Sequence, residues 1–170
     1  DDVESVLTAA GVRRPYVALI PGCSAKHPQK RWPYYAELAQ GLLDAGFDVV
    51  TAPGPDELDL ARSIPGHMLL GDNGWLNWFE LAGVLKSAAF VVGNDTGPSH
   101  VASCMNVPGL ALYGAHTSAE RTSIRKARFD AIEVTDLAQL SVERVLREVI
   151  ARVSATSSGM AEFRRIRCRT

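Results

Sequence analysis

Val91-Val92-Gly93-Asn94-Asp95-Thr96-Gly97-Pro98-Ser99-His100 passes from an apolar strand into small, hydrogen-bonding residues just where a helix begins. A helix start leaves backbone N–H groups without intrahelical partners and carries the positive end of the aligned peptide dipoles, so such a turn suits an anion. Glycine lets a ligand approach the backbone closely. Pro98 fits the first helical turn, where a missing N–H costs nothing, and Asp95 or Thr96 can supply a capping oxygen.

Working outward, the same strand-turn-helix alternation repeats on both sides. Tyr16-Val17-Ala18-Leu19-Ile20 reads as a buried strand, then comes a polar loop and a helix opened by Pro33. In that helix Tyr35, Leu38, Ala39, Leu42 and Leu43 keep helical spacing until Gly46 stops it. Residues 47–51 predict a second strand, 56–63 a short helix after a Pro-Gly-Pro turn, and 67–70 a third strand. Asn77-Trp78-Phe79-Glu80 has the spacing of a capping box, with Trp78, Leu81, Ala82 and Leu85 as the buried stripe of the helix it opens. Strand four at 90–93, a helix at 98–106, strand five at 109–113, a short strand at 131–134 and a helix from Ser141 complete the pattern. Residues 154–159 read as a flexible linker into the tail Arg164-Arg165-Ile166-Arg167-Cys168-Arg169.

Strands separated by helices of these lengths imply parallel pairing with right-handed crossovers, hence an α/β fold with a Rossmann-like, doubly wound parallel sheet. Ligands of such sheets sit beyond the carboxyl ends of the strands. The loops at 21–30, 53–57, 71–75, 93–98 and 114–121 are therefore expected to line one crevice.

The bulk numbers narrow the partners. A chain of 170 residues with 46% hydrophobic content has room for one well-filled core. Its 18 Lys and Arg balance 19 Asp and Glu, so no global field draws it to nucleic acid. Three widely spaced cysteines, Cys23, Cys104 and Cys168, lack any C-x-x-C pairing; neither a zinc site nor a disulfide framework is expected, and a reducing cytoplasm fits. No apolar run approaches the roughly 20 residues of a membrane span. The opening Asp1-Asp2-Val3-Glu4, without an initiator Met, reads as the continuation of a longer chain.

Within the first loop, Pro21-Gly22-Cys23-Ser24 precedes Lys26, His27, Lys30 and Arg31-Trp32-Pro33. Ser24 and nearby backbone N–H groups can donate to phosphate oxygens, and Lys30 adds a long-stemmed positive charge. The other reading of these cations is a solvated loop; two anion-suited loops at one sheet edge favour phosphate.

Pro-Gly-x-Ser followed by Lys-Arg-Trp-Pro, and then Gly-Asn-Asp-Thr-Gly-Pro-x-His, resemble the lipopolysaccharide heptosyltransferases, inverting glycosyltransferases of family nine. The resemblance runs over residues 15–150 and to the C-terminal half of the family's two-domain GT-B architecture. It implies that residues 16–153 form a nucleotide-sugar donor domain, 1–15 an interdomain linker or helix end, and 154–170 a flexible tail. The expected donor is ADP-heptose, and the expected acceptor is a lipid-linked saccharide of the lipopolysaccharide core, bound by a bacterial enzyme's N-terminal domain that this chain lacks. Ser24 and Lys30 match the family's donor-phosphate contacts, and Asp95, Thr96, Gly97 and Pro98 its diphosphate loop. His100 matches its histidine near the sugar phosphate, Glu57 its ribose-binding acid and Leu76 the apolar residue beside adenine. Each has a plainer reading: a helix cap for Asp95, a first-turn charge for Glu57, a hydrophobic staple for Leu76, a half-exposed polar group for His100. Trp32, Trp75 and Trp78 read as packing residues, with Trp75 also open to a place beside adenine.

The sequence departs from the family at two points. The segment between Ser24 and Lys30 is longer, and Gly114-Ala115-His116-Thr117-Ser118-Ala119-Glu120-Arg121 replaces a Gly-Pro-Thr-Asp-Pro type of loop. Neither a D-x-D pair nor a ligand-spaced His/Asp cluster is present, so no metal is expected, and by the resemblance the general base is an Asp of the other domain. No catalytic residue is expected in this chain beyond leaving-group stabilisation by Lys30 and Ser24. The Arg-rich tail is open to a peripheral contact with anionic lipid at the inner face of the inner membrane. Two alternatives stand: a free-standing nucleotide or nucleotide-sugar binding module, and a family-nine transferase using another sugar. A dehydrogenase-type epimerase is disfavoured, because no G-x-G-x-x-G follows the first strand.

Overall fold

A computed structural model describes the backbone of residues 2–167 and the side chains of residues 3–156. Six strands, β1 (Tyr16–Ile20), β2 (Asp48–Thr51), β3 (His67–Met68), β4 (Phe90–Asn94), β5 (Gly109–Tyr113) and β6 (Phe129–Glu133), form one sheet in the order β3-β2-β1-β4-β5-β6. Every pairing is parallel. From β1 the chain builds outward to β3, then returns to the centre and builds the other way from β4. The reversal lies between β1 and β4, in register from Val17↔Phe90 to Ile20↔Gly93. A crevice opens at such a switch point, and the loops leaving β1 and β4 form its walls.

Helices α1 (Asp2–Ala9), α2 (Tyr35–Asp44), α3 (Leu58–Arg62), α4 (Trp78–Ser87), α5 (Gly97–Cys104), α6 (Ala119–Thr122) and α7 (Val142–Arg167) connect and flank the strands. Alternation along each strand divides the interior in two. Val17, Leu19, Phe90, Val92, Leu110 and Leu112 face α2 and α7, where they meet Leu38, Leu42, Val145 and Val149. Tyr16, Ala18, Val91, Ala111 and Tyr113 face the other way, toward Leu7, Val84, Leu85 and Ala102. Covered on both faces, the strands read as nearly unbroken apolar runs. Each fully buried leucine contributes about 1.5–3 kcal/mol relative to exposure.

The helix signals hold at close range. The Asn77 side chain accepts from Phe79 N and Glu80 N, and Glu80 Oε2 accepts from Asn77 N at 2.8 Å, completing the capping box of α4. α1, expected as linker or helix end, is a helix that buries Leu7 in the second core. It lies so close to α4 that a Cβ on Gly83 would meet Val3 Cγ2 at 2.3 Å.

Three expectations are corrected. Residues 154–159 are not a linker, because α7 runs without a break to Arg167. Val153 continues the buried spacing of Val145 and Val149, and Thr156 Oγ1 donates back to Arg152 O at 2.9 Å, so a Ser/Thr-rich stretch that can leave the helix stays in it. The tail's side chains, and residues 168–170 with Cys168, lie outside the described residues. Trp78 does not belong to the buried stripe of α4: it is 60% exposed, and the buried residues of that helix are Leu85, as expected, and Val84. The third strand is confined to His67–Met68.

Candidate functional site

The turn between β4 and α5 places two neighbouring polar side chains in different roles. Asn94, the last residue of β4, is fully buried. Its Oδ1 accepts from Trp32 N at 3.1 Å and Tyr35 OH at 3.0 Å, while its Nδ2 donates to Pro21 O at 2.9 Å and Gly22 O at 3.2 Å. One amide thereby ties both ends of the loop after β1 to the end of β4. Burial pushes the Tyr35 hydroxyl well above the ordinary phenol value, so it stays a neutral donor. Trp32 is the packing residue expected; its Nε1 donates to Leu140 O at 2.9 Å.

Asp95 begins the turn itself. Its Oδ1 meets His100 Nε2 at 3.0 Å and Tyr113 OH at 3.2 Å; its Oδ2 meets Lys30 Nζ at 3.2 Å and His116 Nε2 at 3.5 Å. Burial opposes ionisation of this carboxyl, yet hydrogen bonds from His100, Lys30 and Tyr113 outweigh it and hold the group below the usual carboxylate range. Tyr113 moves the opposite way, raised by burial and by the negative charge beside it. His116 is held below the ordinary imidazole value, first by burial and then by the Lys30 charge.

The capping expectation is corrected by this arrangement. Thr96 occupies the cap position of α5, but no side-chain oxygen caps the helix, and Asp95 is turned to its four partners instead. Ser99 Oγ donates back to Asn94 O at 2.6 Å, and a Cβ on Gly93 would come within 2.4 Å of Ser99 Oγ. The N–H groups of Gly97 and Ser99 remain those of a first helical turn, without intrahelical acceptors.

Beside this turn two cavities adjoin, sharing Ala52, Glu57, Leu81 and Pro98. The smaller, about 120 Å³, is bordered by Cys23, Ser24 and Thr96, whose Oγ1 is buried without a hydrogen-bond partner. The larger, about 520 Å³, is walled by Pro53, Gly54, Trp75, Leu76 and Trp78. Glu57 stands at the boundary. Its Oε2 accepts from Gly54 N at 3.0 Å, and its carboxylate lies where a Cβ on Gly22 would sit, 1.7 Å from Oε1. Glycine at position 22 is thus the space that the carboxylate fills.

The structure gathers Ser24, Glu57, Leu76, Thr96 and Pro98 around the paired cavities, and Lys30, Asp95 and His100 in the adjoining charged cluster. Ser24 and Lys30, both expected among the donor-phosphate contacts, belong to different groups: Ser24 Oγ accepts from Lys26 N, while Lys30 is committed to Asp95. Gly97 lies beneath Trp78, whose Cη2 would stand 3.3 Å from a Cβ there. Trp75 and Trp78, 44% and 60% exposed, line the larger cavity.

Asn94, Tyr113 and His116 were not singled out as site residues from sequence. A polar side chain ending a buried strand is the signal that marks Asn94; His116 was visible only as part of an unusual loop. Among the described residues no cluster of three or more His, Cys, Asp or Glu could hold a metal ion, and no helix is long and apolar enough to cross a membrane.

The same fold occurs in proteins of known structure. The E. coli ADP-heptose lipopolysaccharide heptosyltransferase II superposes with a TM-score of 0.77 at 24% identity over 92% of this chain and 52% of its own. The E. coli heptosyltransferase WaaC with ADP gives 0.70 at 22% identity, covering 88% and 48%. A family 9 glycosyltransferase from Veillonella parvula gives 0.74 at 19% identity, covering 91% and 51%. The chain spans about half the length of these proteins. No protein of curated function matches its sequence significantly. The sequence profile described as glycosyltransferase family 9 (heptosyltransferase) matches residues 2–145. The chain belongs to glycosyltransferase family 9.

Proposed function

We propose that this chain is the donor-binding half of an inverting glycosyltransferase that transfers heptose from ADP-heptose to a lipopolysaccharide core acceptor. The observation that carries the reading is the pair of adjoining cavities at the β1/β4 switch point, with a carboxylate between them and a helix start at their edge. The larger, apolar-walled cavity suits a base, placed against Leu76 and the two indoles. Glu57 can accept from both hydroxyls of a ribose, and Gly22 leaves room for it to do so. The diphosphate then reaches the buried Thr96 hydroxyl, Ser24 and the N–H groups of Gly97 and Ser99. The structures similar to it include one with ADP and one with an ADP-2-deoxy-2-fluoro heptose, both of E. coli WaaC.

In inverting transfer the anomeric carbon loses its bond to the diphosphate as the acceptor oxygen attacks from the opposite side. The work assigned to this chain is stabilising the departing negative charge with helix N–H groups, Ser24 and Lys30 and no metal ion. The acceptor site and its base belong to a second domain, and this half alone binds donor without transferring sugar. A cytoplasmic site of action, with a peripheral membrane contact for the lipid-linked acceptor, follows from that substrate.

Calorimetric titration of the chain with ADP, UDP, GDP and ADP-heptose, in EDTA throughout, tests the reading. ADP and ADP-heptose are expected to bind, with UDP and GDP at least about tenfold weaker, a difference of about 1.4 kcal/mol. A preference for UDP would leave a glycosyltransferase that uses another sugar nucleotide; absence of binding by the folded chain would remove the donor assignment.

A further inference from the structure

Asp95 and a bound diphosphate would occupy the same strand-to-helix turn, and both are anionic. In the free chain Lys30 is the main counter-charge to Asp95, with Nζ at 3.2 Å from Oδ2. If the same ammonium is to serve the diphosphate, that oxygen loses its cation just as a second anion arrives nearby. Leaving a carboxylate only 7% exposed without compensation is costly, so another donor must be at hand.

One is already in place. His116 Nε2 stands 3.5 Å from the same Oδ2, beyond good hydrogen-bond distance, and it has no other hydrogen-bond partner. The side chain is 10% exposed, and its ring lies parallel to that of Tyr113, 9° apart in plane with centroids 6.2 Å apart. The ring is thus held with an unused nitrogen aimed at an oxygen that Lys30 occupies. Such an unsatisfied buried atom in a native site calls for a role.

We infer that His116 is the reserve partner of Asp95: when a diphosphate draws the Lys30 ammonium away, His116 binds a solvent proton and closes onto Oδ2 in its place. The inference rests on the donor reading above. No covalent bond to carbon or phosphorus changes in this exchange; one proton moves from solvent to the imidazole, and the local charge lost with Lys30 is restored.

The surrounding groups agree on direction. Lys30 and His27, from the loop after β1, oppose a positive charge on His116, and burial opposes it more strongly; Asp95 favours it. His100 and Tyr113 face Asp95 through its other oxygen and do not compete for Oδ2. Removing the Lys30 charge while keeping Asp95 raises the affinity of His116 for a proton. Because the complex then holds more protons than the free chain, ADP affinity falls as pH rises between the free and liganded values of His116, by up to about tenfold per pH unit for one proton.

The test is calorimetry of the unmodified chain with ADP in buffers of different ionisation enthalpy, repeated with His116→Gln, whose amide donates but does not titrate. Proton uptake by the unmodified chain, and its loss together with the pH slope in H116Q, is the expected result. Binding without uptake, or equal uptake in H116Q, overturns the exchange and leaves the donor reading intact. No ADP binding by the folded unmodified chain overturns both. If H116Q does not fold, imidazole nitrogen shifts of the unmodified chain decide: movement of His116 toward imidazolium on adding ADP supports the exchange, and no movement overturns it.

Discussion

Asn94 and Asp95 are neighbours on one turn, yet they show two opposite uses of a buried polar side chain. Asn94 is neutral, wholly enclosed and hydrogen-bonded at both ends of its amide. Asp95 is charged, directly precedes the cavity-lining Thr96, and has two groups contending for one of its oxygens. A network in which every group is satisfied fixes geometry; one with a contested acceptor has a second arrangement close in energy. The turn therefore anchors the crevice through one residue and leaves its charge adjustable through the next.

The largest test of this contrast is Asn94→Ala. It strips partners from Trp32 N–H, the Tyr35 hydroxyl and two loop carbonyls in a fully buried site, and the expected loss is on the order of 3 kcal/mol or more, read from urea denaturation. A loss under about 1 kcal/mol would mean that water enters and Asn94 is no anchor.

Asp95→Asn is expected to cost less, about 1 kcal/mol at neutral pH, because Lys30 and His100 can turn toward solvent. The pH dependence carries the sharper information. A carboxyl held below its ordinary value stabilises the fold above that value and loses the contribution as pH falls through the folded one. The advantage of the unmodified chain over D95N should therefore shrink as pH falls through and below the ordinary carboxylate range. A difference that stays constant across that range would show that the charge of Asp95 is not what its partners hold.

Gly22→Ala should have the smallest effect on stability, within about 0.5 kcal/mol, since the atoms in the way are the far end of the Glu57 side chain. Its effect belongs to binding. The displaced carboxylate should lower ADP affinity about tenfold, as Glu57→Gln should, and the two changes together should do little more than either. Additive losses would separate Gly22 from Glu57.

Much of the fold was legible because its signals are local. The spacing of Leu38, Ala39 and Leu42, the capping box at Asn77 and Glu80, and the apolar strands each depend on residues a few positions apart. From these the parallel sheet and its crevice follow by topology. What escaped depends on partners distant in sequence. Nothing near Asp95 says that its oxygens will face Lys30 and Tyr113 instead of the helix start, and α5 is left with no side-chain cap. Trp78 satisfies helical spacing, but the space that would have buried it is the larger cavity. Residues 154–159 carry linker composition, yet Val153 finds the core and keeps the helix going.

Asn94 also sets an entropic condition on whatever the loop after β1 holds. Its amide grips the chain at Pro21 and Gly22, and again at Trp32, so the residues between are a closed ring rather than a free arm. Inside the ring His27 N donates to Ser24 O, and Lys30 N to His27 O, subdividing it into short turns. The entropy of bringing the ends together is lost during folding and not when a ligand arrives. A ligand that reaches Ser24 or Lys30 then has only side-chain rotors and small backbone excursions left to order, so exchange of the Trp32 amide with solvent should be as slow in the free chain as in the bound one.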